Sequence, residues 1–81
     1  MYKNKAPNGR NNISGLKIKE LREHMPSNPS QKQFADMLQI AGLDLDKNAV
    51  QRIESGSRFV TDIELKVIVQ VLQTSYDDLL N

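Results

Sequence analysis

The chain has 81 residues, 38% of them hydrophobic, with no cysteine and a single histidine, His24. That is enough apolar material for one core and too little chain for two, and it excludes disulfides, zinc-thiolate sites, a thiol nucleophile and any His-based metal cluster or triad. The net charge of +1 hides a polarity: residues 1–35 hold seven Lys and Arg against two Glu, and residues 36–81 hold four basic side chains against eight acidic ones, a distribution that suits a basic face for a polyanion.

Residues 1–13, rich in Asn, Lys, Gly and Pro and without helical or strand period, are expected to form a flexible basic arm, with the folded domain over residues 14–81. Ser14 is a candidate N-cap for a first helix whose apolar face carries Ile18, Leu21 and Met25, and Pro26 stops it. His24 lies near the C-terminal end of that helix, where its charge would suit the dipole. A second helix opens on Ser30-Gln31-Lys32-Gln33, a Ser-x-x-Gln capping box, and buries Phe34, Ala35 and Leu38. Gly42 ends it or turns the chain, and Leu43 and Leu45 anchor the connector. Asp46 caps a third helix with Val50 and Ile53 inward, and Gly56 ends it in a left-handed position.

Thr61-Asp62-Ile63-Glu64 is another capping box, followed by Leu65, Ile68, Val69 and Leu72 at i, i+3, i+4 and i+7. The β-branched run at residues 67–71 would suit a strand, but the cap, the stripe and the lack of a pairing strand decide for helix. Ser75 caps a last short helix with Tyr76, Leu79 and Leu80. The expected fold is therefore all-α, five short helices behind an arm. No apolar run approaches the roughly 18 residues of a membrane span and no N-terminal apolar region of the signal-peptide kind is visible, so the expected setting is the cytoplasm, with no membrane partner.

The third helix carries the chemistry. Lys47, Asn48, Gln51 and Arg52 stand at i, i+1, i+4 and i+5, one polar stripe opposite Val50 and Ile53. Lys and Arg can donate to guanine O6 and N7, while Asn and Gln can both donate to and accept from adenine, and a major groove admits a helix. The same residue types also make an ordinary solvated face.

Ser30-Gln31-x-x-Phe34-Ala35 followed by Ala49-Val50-x-x-Ile53-Glu54-x-Gly56 resembles the lambda-repressor/Cro-type helix-turn-helix family, also called the xenobiotic-response-element family, over roughly residues 16–80. Arg22 fits the arginine this family places at the end of its first helix. The resemblance implies a five-helix DNA-binding domain with Lys47, Asn48, Gln51 and Arg52 at base edges and Gln31, Ser55 and Arg58 at phosphates, Gln31 also bracing the recognition helix. It also implies a structural ion pair between Arg22 and Glu54, an arm with Lys3, Lys5 and Arg10 laid along a groove, and a homodimer joined through Tyr76, Leu79 and Leu80. The connector from Ile40 to Leu45 is longer than the family's usual turn, which would either extend the second helix or re-aim the third.

The function expected is sequence-specific binding of a double-stranded DNA operator by a repressor-like transcriptional regulator. No cofactor or metal is called for. The competing expectation is a protein-interaction adaptor, or an antitoxin-like module that also holds a protein partner. An enzyme is not expected: Glu20, Glu23 and His24 are close in sequence but lack a Gly-rich loop, nucleophile elbow or metal-ligand pattern.

Overall fold

A computed structural model describes residues 11–80. Five helices follow in order, α1 (Gly15–Glu23), α2 (Gln31–Ile40), α3 (Lys47–Ser55), α4 (Asp62–Leu72) and α5 (Tyr76–Leu80), and no strand occurs among the described residues. The expected arm, residues 1–10 at least, lies outside them.

Side-chain caps set the helix starts. Ser30 Oγ accepts from the Gln33 N–H while Gln33 Oε1 accepts from the Ser30 N–H, and Thr61 and Glu64 repeat the exchange at α4. Asp46 Oδ1 takes the Ala49 N–H at α3, and Ser75 Oγ takes the Asp78 N–H at α5. Each cap satisfies a donor that a helix start leaves without an intrahelical partner. At α1 the expectation fails in an instructive way. The side chain of Ser14 makes no cap bond, and the Gly15 N–H is taken by Asn12 Oδ1 at 2.8 Å.

Three helix ends share one geometry, a left-handed residue followed by a 6→1 backbone bond. Gly42 (φ 98°) closes α2 with Leu43 N–H on Leu38 O, and Gly56 (φ 85°) closes α3 with Ser57 N–H on Arg52 O. Gln73 (φ 56°) closes α4 with Thr74 N–H on Val69 O, without the freedom of glycine. The long connector thus does not extend α2, which ends at Ile40. Leu43 and Leu45 are buried, and Gln39 Nε2 donates to Leu45 O.

α3 packs on α2 and α1, α4 on α2, and α5 across α1 and α4. Ile18, Phe34, Leu38, Val50, Ile53, Ile68 and Leu79 are the fully buried side chains of the shared core. Burial of Ile68 and Leu72 against it outweighs the weak helix preference of the Val-rich run in α4.

Candidate nucleic-acid interface

α3 is held from behind by a buried ionic knot. Arg22 Nε donates to Glu54 Oε2 at 2.7 Å and Nη2 to Glu54 Oε1 at 3.0 Å, while Nη1 reaches Pro29 O at 2.8 Å. Arg22 is 7% exposed and Glu54 4%. The bidentate bond to Glu54, with its attraction, raises the Arg22 guanidinium above its ordinary value against the opposing effect of burial. A pair so enclosed fixes α3 against α1 and the loop before α2, and each member depends on the other for its solvation.

Gln31 Nε2 donates to Glu54 Oε1 at 3.0 Å, a link from the start of α2 to α3. The amide adds a further donor to the Glu54 carboxylate, so Gln31 braces the knot. Arg58 is likewise committed elsewhere. Its Nη1 and Nη2 bond both carboxylate oxygens of Glu64 at 2.9 and 2.8 Å, and Nη1 also reaches Phe59 O. That bond to Arg58 lowers the Glu64 carboxyl below its ordinary range, helped by Thr61, and raises Arg58 in turn. Arg58 therefore joins the α3–α4 loop to the start of α4 rather than presenting a bare cation. Ser55 stays on the surface, its hydroxyl shared between Arg52 O and Ser57 Oγ.

The α3 stripe differs from all of these. Lys47, Asn48, Gln51 and Arg52 are exposed, and among the described residues none of their side chains makes an internal hydrogen bond or ion pair. Lys17 and Lys32, by contrast, pair with Glu20 and Asp36 along their own helices. The cations without an acidic partner among the described residues are Lys19, Lys47, Arg52 and Lys66. The sequence motifs do not single out Lys19. It lies on α1, yet it lines a surface depression of about 130 Å³ together with Gln31, Gln51, Glu54 and Ser55. A basic side chain is thereby added beside the stripe.

Residues 11–80 carry eight Lys and Arg against ten Asp and Glu, so the chain's net +1 depends on Lys3, Lys5 and Arg10. The described residues form a mildly acidic body in which three of the four cations without an acidic partner lie on or beside α3, the fourth, Lys66, being on α4.

Leu79, expected at a dimer interface, is 1% exposed and closes the monomer's own core, while Tyr76 and Leu80 remain on the surface. Residues 11–13, expected as the end of the arm, are bound to the body at Asn11 and Asn12, and Asn12 is buried. No helix among the described residues is long and apolar enough to cross a membrane. No protein-family model, curated protein or solved structure matches the chain.

Proposed function

We propose that this chain is a sequence-specific double-stranded DNA-binding protein of the lambda-repressor-like helix-turn-helix kind, acting in the cytoplasm as a transcriptional regulator by occupying an operator. The observation that carries the reading is the stripe of Lys47, Asn48, Gln51 and Arg52, four exposed side chains without partners among the described residues, on a helix locked from behind by Arg22 and Glu54. Rigid presentation matters because a helix reading base edges in a major groove must hold its pitch while phosphate contacts set its register. Lys47 and Arg52 are the candidates for guanine, Asn48 and Gln51 for adenine. Lys19 and Ser55 flank them as candidate backbone contacts, with Gln31 and Arg58 acting through the scaffold. No catalytic step is part of this function.

The exposed Tyr76 and Leu80 support a homodimer, which would set two copies of α3 about one DNA turn apart. A second reading, a protein-interaction or antitoxin-like module, is favoured by a groove of about 480 Å³ between α1, α2 and α4, lined by Leu21, Met25, Met37, Val71 and Leu72 among others.

Selection from a pool of randomised duplex DNA tests the proposal. The expected result is an enriched inverted repeat whose binding weakens by about 1–3 kcal/mol on Lys47→Ala or Arg52→Ala, with the melting temperature unchanged. Retention without enrichment would refute sequence specificity, and no retention even at low salt would refute DNA binding and leave the protein-partner reading.

A further inference from the structure

The groove between α1, α2 and α4 shares no lining residue with the α3 stripe or with the depression beside it. Its floor is apolar. Leu21 comes from α1, Met25 from just beyond the end of α1, Met37 from α2, and Val71 and Leu72 from the last turn of α4. Leu72 is buried and the other four are partly buried, so apolar surface stays in water along the whole floor. The two methionines are unbranched and can repack around an incoming side chain. The apolar surface also runs on beyond the groove. Ile63, Val67 and Val71 stand at i, i+4 and i+8 on α4, and Ile40 stands one turn beyond Met37 on α2. Ile63 is 76% exposed and Ile40 87%. Pockets for small molecules enclose about 70–90% of the ligand, which an open, elongated surface does not do. An amphipathic helix fits it better, since its own apolar face is a stripe at i, i+3, i+4 and i+7.

Charge selects the sign of that helix's polar face. No Lys, Arg, Asp or Glu lines the groove. Both α1 and α4 end on it, at His24 and Gln73, and the last carbonyls of a helix carry partial negative charge. α4 has no basic residue in its last turn, and the one in α1, Arg22, is held by Glu54. Glu20 and Glu23 stand in the last turn of α1, and Asp77 and Asp78 in the first turn of α5, which follows α4 after three residues. Lys17, on α1, is paired with Glu20. Lys32 and Asp36 on α2 pair with each other, and Lys66 lies more than a turn back along α4 from Val71. The end of the groove is therefore electronegative, and the helix that complements it carries Lys or Arg beside its apolar stripe.

We propose that this groove docks a basic amphipathic helix of a partner protein, its apolar anchors seated among Leu21, Met25, Met37 and Val71 and its cations facing Glu23 and Asp77. The inference deepens the protein-partner reading above and does not depend on DNA binding, because it uses no residue of the α3 stripe.

The test titrates the full chain, isotope-labelled at its methionine methyls, with two synthetic helical peptides of about 18 residues. Both carry Leu at the i, i+3, i+4 and i+7 positions of one face; the remaining positions are Lys in the first peptide and Glu in the second. The Lys peptide is expected to shift the Met25 and Met37 methyl signals to saturation and to bind about tenfold tighter than the Glu peptide. Met37→Gln with Val71→Gln should weaken the Lys peptide at least about tenfold by removing two apolar contacts, while Arg52→Ala leaves its affinity unchanged. If the first pair fails to fold by circular dichroism, Glu23→Gln with Asp77→Asn, both at exposed positions, replaces it. That pair should weaken the Lys peptide severalfold and flatten its salt dependence. Equal affinity for the two peptides would overturn the proposal, as would methyl signals that stay in place. Signals that move with protein concentration alone would also overturn it, since a second copy then fills the groove. Absence of peptide binding in a chain that retains duplex DNA would refute this site alone. A peptide docked on the groove of a chain that retains no duplex would support this site and refute the DNA reading alone.

Discussion

Replacing Glu54 with alanine removes the acceptor for two guanidinium donors of Arg22 and for the Gln31 amide, and leaves Arg22 with Pro29 O. Arg22 is 7% exposed, so water cannot readily replace the lost carboxylate. Deleting one member of such a buried pair costs about 3–5 kcal/mol, most of it from the charge left behind. A domain of this length has a total stability of roughly 4–12 kcal/mol. Each kcal/mol moves the melting temperature of a small domain by about 4–8 °C, so the variant should melt at least roughly 12 °C lower. The measurement is a thermal melt followed by far-UV circular dichroism, repeated at high salt, where a buried pair should be screened little. Substituting both partners, Arg22→Met with Glu54→Leu, should recover most of the loss, because two apolar side chains need no counter-charge. A Glu54→Ala melting point within about 2 °C of the parent would refute the energetic argument. Lost DNA affinity at an unchanged melting temperature would refute the structural assignment of the pair.

Three further outcomes follow from the geometry. Gln73→Gly should raise the urea midpoint by roughly 0.5 kcal/mol of stability at unchanged m, since the left-handed strain of a non-glycine residue exceeds the entropy glycine adds to the unfolded chain; a lower midpoint would show that strain to be absent. Glu64 has its carboxyl lowered in the folded state, first by Arg58, so its contribution is complete above the unfolded value of about 4.3 and is lost as pH falls through the folded one. Glu64→Gln should therefore cost about 1 kcal/mol or less at neutral pH and reduce the acid-side decline in stability, and equal pH profiles for parent and variant would contradict this. Tyr76→Ser with Leu80→Ser should shift sedimentation equilibrium toward monomer at nearly unchanged stability, whereas Leu79→Ala should cost about 2–5 kcal/mol as a core deletion; association unaffected by the exposed pair would place any dimer contact elsewhere.

The helices and much of the core were legible in the linear sequence because their causes are local. Ser30 with Gln33, and Thr61 with Glu64, state a helix start within four residues, and the spacing of Phe34, Ala35 and Leu38 states which face is apolar. Gly42 and Gly56 mark stops for the same reason. The exposure of Lys47, Asn48, Gln51 and Arg52 followed from their position opposite Val50 and Ile53 on one helix. Resemblance to a helix-turn-helix pattern supplied the pairing of Arg22 with Glu54, which periodicity alone could not, since it shows which face is buried but not which partner it meets.

Tertiary structure decided the rest, wherever a side chain chose between solvent and a distant partner. Gln31 is a polar residue in the first turn of α2, and its bond to Glu54 exists only once α3, 23 residues later, is docked against it. Arg58 is half of an ion pair because the turn into α4 brings Glu64 within reach, a pairing that no local period announces. Leu79 and Leu80 are identical neighbours, and only the seating of α5 on α1 and α4 puts one in the core and the other on the surface. Asn12 belongs by composition to a polar arm, yet its carboxamide finds carbonyls 41 and 46 residues away. Hydrogen bonds over such separations leave no local period in the sequence, because the geometry that makes them exists only once the helices have packed.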